Sequence, residues 1–163
     1  MKNENYQVFV SKDYFKFNAA HFMAYPGFRE RLHGHNYRVS VRIEGQLGAD
    51  GYVLDFGEIK KATKRICDEM DERLIVPMKS DVLRIERIDG QVGIVTEDGA
   101  RFSIPESDCV LLPIAHSSAE DLATYVCGRL IAELGVLQSR KATSIEVTVA
   151  ESPLQEARYR IEL

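Results

Sequence analysis

The distribution of apolar residues along this 163-residue chain predicts an α+β domain whose antiparallel sheet is covered on one face by two helices. Three observations carry that expectation. Alternating segments lie in pairs towards the two ends of the chain, and two stretches of helical period fall between the pairs. The region separating the two helical stretches breaks into short β-like runs divided by Asp-Gly dipeptides.

Residues 6–10 and 14–18 cluster β-forming side chains, with Ser11-Lys12-Asp13 as a bend or bulge between them, so a first strand should run towards His21. Pro26-Gly27 interrupts the pattern and marks a loop. Residues 37–44 alternate apolar with polar side chains, turn residues over 45–51 close the run, and the first two strands should pair antiparallel. Asp55, followed by Glu58, resembles a helix capping box. Beyond it Ile59, Ala62, Ile66 and Met70 form an apolar stripe, with Lys60, Lys61, Lys64, Arg65, Asp68 and Glu69 left for solvent.

Over residues 78–113 the runs 82–88, 91–96 and 101–104 are separated by Asp89-Gly90 and Asp98-Gly99, which predicts a small inserted β-meander. Ser117 or Ser118 can cap a second helix with Leu122, Val126, Leu130 and Leu134 on one face, and Gly135 suits its end. Residues 144–150 alternate as a strand, Glu151-Ser152-Pro153 interrupts it, and 157–163 supplies a last one. There is no repeat, low-complexity tract or linker, so residues 1–163 read as a single domain with an insertion at about 78–113.

Composition narrows the function. With 45% hydrophobic and 28% charged residues the chain can bury a core, and its formal charge of −4 lacks the basic excess that a nucleic-acid partner requires. No apolar run is long enough to span a bilayer, and Met1-Lys2-Asn3-Glu4-Asn5 is polar, which predicts a cytoplasmic protein without a membrane partner. Cys67, Cys109 and Cys127 are odd in number and widely spaced, so they read as buried free thiols rather than a disulfide framework or a thiolate metal site.

The histidines are unevenly distributed. The chain has four, and His21, His33 and His35 fall within a short stretch that also contains Glu30. In an extended chain His33 and His35 leave the same face, Gly34 between them carries no side chain to block close approach, and His21 on the neighbouring strand supplies a third corner. Three neutral imidazoles leave a tetrahedral zinc ion one open position, the arrangement of a catalytic site. Taken alone, HxH is equally compatible with surface or packing histidines.

Further motifs accompany it in a fixed order. Phe17-Asn18-Ala19-Ala20-His21, Leu32-His33-Gly34-His35-Asn36-Tyr37, Val53-Leu54-Asp55-Phe56, Leu74-Ile75-Val76-Pro77 and Val147-Thr148-Val149-Ala150-Glu151-Ser152 together resemble the family of 6-pyruvoyl-tetrahydropterin and 6-carboxytetrahydropterin synthases. The resemblance covers most of the chain outside 78–113. It implies a T-fold subunit, two strand pairs flanking two helices, in a barrel-forming homo-oligomer that is usually a hexamer of two trimers. It also implies Zn2+ on His21, His33 and His35, and a pterin substrate anchored by Glu151. A carboxylate suits that anchor because it accepts two parallel hydrogen bonds from the amino-pyrimidinone edge.

Two departures from the family pattern bear on the reaction. The loop before HGH has no cysteine; it reads Phe28-Arg29-Glu30-Arg31-Leu32 and resembles the branch in which a glutamate is the base. After the first helix Asp71-Glu72 stands where an Asp-His pair is common, leaving His116, oriented by Asp71, as the expected acid-base relay. The glutamate branch implies cleavage of the side chain of 7,8-dihydroneopterin triphosphate, or of dihydroneopterin, to 6-hydroxymethyl-7,8-dihydropterin for folate synthesis. Two other readings stay open: a 6-pyruvoyl or 6-carboxy synthase with its base elsewhere, and a pterin- or purine-binding T-fold protein without catalysis.

Overall fold

A computed structural model describes residues 4–135, 137 and 141–163. The first strand, β1 (Tyr6–His21), runs antiparallel to the fourth, β4 (His33–Gly45), and between them lies a short hairpin of β2 (Ala24–Tyr25) and β3 (Phe28–Arg29). Gly27 turns that hairpin at φ +81°, a left-handed conformation that glycine adopts without a Cβ penalty. Helix α1 (Phe56–Met70) starts at Asp55, whose carboxylate accepts the Gly57 N–H at 2.7 Å. Asp55 therefore caps the helix through Gly57, but no hydrogen bond among the described residues joins the Asp55 N–H to Glu58, so the expected capping box is not completed.

The chain then enters two strands that alternation did not reveal. β5 (Arg73–Pro77) adds to β1, and β9 (Cys109–Leu112) adds to β5, both in parallel. The expectation of a purely antiparallel sheet is corrected: the main sheet is mixed, in the order β11-β10-β4-β1-β5-β9. Leu74 to Pro77 are buried without interruption, so β5 has no polar face to produce a period of two. The part of 78–113 that stands apart from the main sheet is correspondingly shorter, since Cys109–Leu112 belong to that sheet. It is a separate three-stranded sheet of β6 (Leu83–Ile88), β7 (Gln91–Thr96) and β8 (Arg101–Pro105), followed by a single 3-10 turn at Glu106–Asp108.

Helix α2 (Ala119–Glu133) is capped by Ser118, which accepts the Asp121 N–H. Its C-cap is Leu134, and Gly135 has no positive φ. The sheet is completed by β10 (Ala142–Ser152) and β11 (Gln155–Glu162), which pair antiparallel. No helix among the described residues is long and apolar enough to cross a membrane.

Both helices pack on one face of the sheet. Ile59, Ile66 and Met70 of α1 and Leu122, Val126 and Leu130 of α2 join Phe15, Phe17, Tyr37, Val39, Val41, Ile43, Val147 and Val149 in one core. A smaller core of Phe22, Ala24, Leu74, Val76, Leu83, Val92 and Ile94 joins the insertion to the hairpin and β5.

An irregularity in β1 sets which residues face inward. β1 advances from Ser11 to Lys16 while its partner retreats only from Ser40 to Arg38. The bulge falls where Ser11-Lys12-Asp13 predicted one, and it changes the parity of the strand. Val10 is inward before it, and Phe15, Phe17, Ala19 and His21 are inward after it. His21 thus continues the core face at the strand end.

Candidate metal centre

The antiparallel register that follows the bulge sets His21 opposite His33 and Ala19 opposite His35. Because His33, His35 and Tyr37 alternate along β4, their side chains share the face on which His21 lies. The ring centroids of His21 and His33 are 4.6 Å apart, those of His21 and His35 5.1 Å, and those of His33 and His35 4.9 Å. One nitrogen from each lies within 4.8 Å of the others. A side chain at Gly34 would stand 3.1 Å from the Ala19 carbonyl oxygen, so close strand approach at the triad favours glycine.

Hydrogen bonds orient the rings. His21 is buried, and its Nδ1 donates to the Ser117 carbonyl at 2.9 Å, with the Ser117 hydroxyl 3.2 Å away. That hydroxyl in turn donates to the Phe22 carbonyl at 2.9 Å. Burial, reinforced by His33 and His35 and opposed by the Ser117 carbonyl and Glu30, lowers the His21 pKa and keeps the ring neutral. Its Nε2 is buried with no hydrogen-bond partner among the described residues. His33 Nδ1 donates to the Arg31 carbonyl at 2.8 Å, which leaves its Nε2 as the lone-pair nitrogen. A neutral histidine whose outer N–H is tied to a carbonyl, leaving an unpartnered inner nitrogen, is the form in which imidazole binds a divalent metal. The donor set therefore fits a metal ion, and three nitrogens fit zinc.

The triad opens onto a cleft of about 550 Å³ lined also by Met23, Glu30, Ser118, Glu120, Glu151 and Gln155. Glu30 hangs on the hairpin: its N–H donates to the Met23 carbonyl at 2.9 Å, and its carboxylate accepts the Met23 N–H at 3.0 Å. Glu151 reaches the same cleft from the end of β10. Among the described residues no lysine or arginine lines the cleft. Arg29 points instead to Asp98 of the insertion.

Five of the seven residues singled out in the sequence thus share one cleft, and two do not. Asp71 accepts the Asn18 N–H at 2.7 Å in the turn that joins α1 to β5, where Glu72 takes a φ of +56°. His116 donates its own N–H to Asp121, and its Nδ1 meets the Ala24 carbonyl at 3.2 Å. Among the described residues no hydrogen bond joins Asp71 to His116 within the chain. The three cysteines are all buried. Burial pushes the Cys67 thiol up to about 12 and the Cys127 thiol up to about 11.

Two further residues have places at the site that the sequence did not indicate. Of the two serines able to cap the second helix, Ser118 takes that role and Ser117 fixes His21. Tyr37 is fully buried and stacks on Phe17, with a ring-centroid separation of 4.7 Å, and its hydroxyl has no hydrogen-bond partner among the described residues. Its position two residues beyond His35 was the available signal.

Comparison with known proteins identifies the family. Residues 10–162 match the family described as 6-pyruvoyl tetrahydropterin synthase. The 6-pyruvoyl tetrahydropterin synthase of Plasmodium falciparum superposes with a TM-score of 0.95 at 44% identity, covering 99% of this chain and 100% of that one. A Plasmodium vivax 6-pyruvoyltetrahydropterin synthase superposes with a TM-score of 0.94 at 42% identity and the same coverage; it carries alanine in place of a glutamate described as its catalytic residue. A putative 6-carboxy-5,6,7,8-tetrahydropterin synthase of Methanocaldococcus jannaschii is 36% identical over 89% of each chain.

Proposed function

Since the chain belongs to the 6-pyruvoyl tetrahydropterin synthase family, whose T-fold it shares and whose enzymes act on pterins, we propose that it is a zinc-dependent lyase cleaving the C6 side chain of 7,8-dihydroneopterin triphosphate, or of dihydroneopterin. The product would be 6-hydroxymethyl-7,8-dihydropterin, a folate precursor. The observation that carries this reading is Glu30, a carboxylate in the cleft of the histidine triad, while every thiol is buried in the core. The Plasmodium vivax relative supports a glutamate as the base, while its name, 6-pyruvoyltetrahydropterin synthase, does not favour the cleavage product.

His21, His33 and His35 would hold the metal, which when bound supplies Lewis-acid polarisation of the side-chain oxygens. Glu151 would accept hydrogen bonds from the amino-pyrimidinone edge and fix the ring. Glu30 would take the proton of the C2′ hydroxyl as the C1′–C2′ bond breaks. The electron pair of that bond passes into the C6=N5 imine, C2′ leaves as an aldehyde, and protonation at C1′ gives the hydroxymethyl group. The Met23 N–H keeps the Glu30 carboxylate oriented through the step. The outer strands of the main sheet, β11 and β9, support assembly into a homo-oligomer such as a hexamer, because unpaired strand edges can be covered by a neighbour.

A second reading, a 6-pyruvoyl- or 6-carboxytetrahydropterin synthase, is favoured by the names of the family and of the Methanocaldococcus relative. Product analysis separates the two. Zinc-loaded protein incubated with dihydroneopterin triphosphate should yield 6-hydroxymethyl-dihydropterin, and Glu30→Gln should slow turnover by roughly 10²–10⁴-fold, the range for a lost general base. A 6-pyruvoyl or 6-carboxy product establishes the second reading, and unchanged substrate establishes a binding protein.

A further inference from the structure

We propose that the inserted three-stranded sheet is a brace for the hairpin that carries Glu30, with Asp98 and Glu97 as positioning residues. The inference rests on the reading of Glu30 as the base. Arg29, adjacent to Glu30, donates from Nε to both Asp98 oxygens at 3.1 and 2.9 Å, and a terminal guanidinium nitrogen lies 2.8 Å from Oδ2. The other terminal nitrogen donates to the Glu30 carbonyl at 3.0 Å. One guanidinium therefore ties the Glu30 backbone to the insertion.

A second tie lies next to it. The Gly27 N–H, at the turn of the hairpin, donates to a Glu97 carboxylate oxygen at 2.9 Å. Asp98 is itself held by the Thr96 hydroxyl and by the Ala100 N–H at 3.4 Å, so its fork is set before Arg29 arrives. Beneath these bonds Phe102 of β8 stacks on Phe22, with centroids 5.1 Å apart, and the Arg29 guanidinium lies 5.9 Å from the Phe102 ring centre. Polar ties at the tip and a shared apolar base hold a two-stranded hairpin that is too short to be rigid alone.

The pairing also settles where the Arg29 charge goes. With both Asp98 oxygens engaged, the cation is neutralised on the insertion side rather than at the Glu30 carboxylate, whose side-chain bond is to the Met23 N–H. A base that must meet a substrate proton within hydrogen-bond reach depends on this placement.

The test uses the full-length, metal-loaded protein and two readouts. Asp98→Ala should lower kcat about tenfold, within the range for a misplaced catalytic group, while KM stays within about twofold. Asp98→Glu, which keeps the carboxylate, should restore most of that loss. Arg87→Ala removes the Arg87–Glu106 pair elsewhere in the insertion and should leave kcat unchanged. Hydrogen exchange at residues 24–30 should accelerate in Asp98→Ala and not in Arg87→Ala, a result independent of what Glu30 does. Unaltered exchange in Asp98→Ala would overturn the brace. Faster exchange with unaltered kcat would overturn the positioning role, and full turnover by Glu30→Gln would locate the failure in the reading of Glu30 instead.

Discussion

Tyr37→Phe should make the protein more stable and less active. The ring is fully buried, 5.9 Å from that of His21 and 5.5 Å from that of His35, and its stack on Phe17 survives loss of the hydroxyl. Burial raises the phenol pKa, and the carboxylates of Glu151 and Glu30 raise it further, so the hydroxyl stays protonated and carries a donor that no described residue accepts. An unsatisfied buried polar group costs about 1–3 kcal/mol, and substitution by phenylalanine recovers that cost without opening a cavity. For a chain of this size the gain corresponds to a rise in Tm of roughly 2–12 °C. The assay is thermal unfolding followed by circular dichroism, with protein and metal concentrations held equal because both shift Tm. β10 brings Glu151 towards this tyrosine, since Ala150 pairs with Arg38, so the hydroxyl lies near the carboxylate proposed to anchor the pterin. Turnover should fall as stability rises. A lower Tm for Tyr37→Phe, or equal Tm with equal turnover, would refute the reasoning.

The remaining predictions concern the metal, the thiols and pH. With zinc on the triad as proposed, elemental analysis should find the metal lost from His21→Ala and retained in Cys67→Ala; unchanged stoichiometry in His21→Ala would count against the triad as the ligand set. The three cysteines should resist Ellman's reagent in the native protein at pH 8 and react fully in denaturant, and alkylation under native conditions should leave turnover intact. Glu44 is held at about 2, below its ordinary 4.5, first by Arg160 and then by Gln7. Its contribution to stability is therefore present above about pH 4.5 and is lost as pH falls towards 2. Acid unfolding of Glu44→Gln should show a shallower dependence over that window, and an identical profile would refute the assignment.

What could be read from the residues alone follows the range over which each interaction acts. The alternation through Tyr37, Val39, Val41 and Ile43, the stripe through Ile59, Ile66 and Met70, and the Asp55 and Ser118 caps are local patterns, and each forms as expected. β5 was hidden because a strand buried on both faces loses its period, and β9 because four residues are too few to establish one. At the site, His21, His33, His35, Glu30 and Glu151 stood out by type and order. Ser117 lies 96 positions from His21, and the Arg29–Asp98 tie crosses 69. No local pattern records contacts of that separation. The pairing of Asp71 with His116 rested on the shortage of histidines rather than on any signal of proximity, and within the chain the two have separate partners.

The irregularity in β1 imposes a rule on how this protein can vary. Every residue from Phe15 to His21 inherits its inward or outward direction from the chain length consumed between Ser11 and Lys16. Inserting or deleting one residue there would exchange the two faces, sending Phe15, Phe17 and His21 to solvent and bringing Lys16 and Asn18 into the core. Changes of two residues would preserve the parity. Homologous chains that keep the triad should therefore differ in length at this segment by even steps, a constraint on viable insertions and deletions that originates well away from the residues it protects.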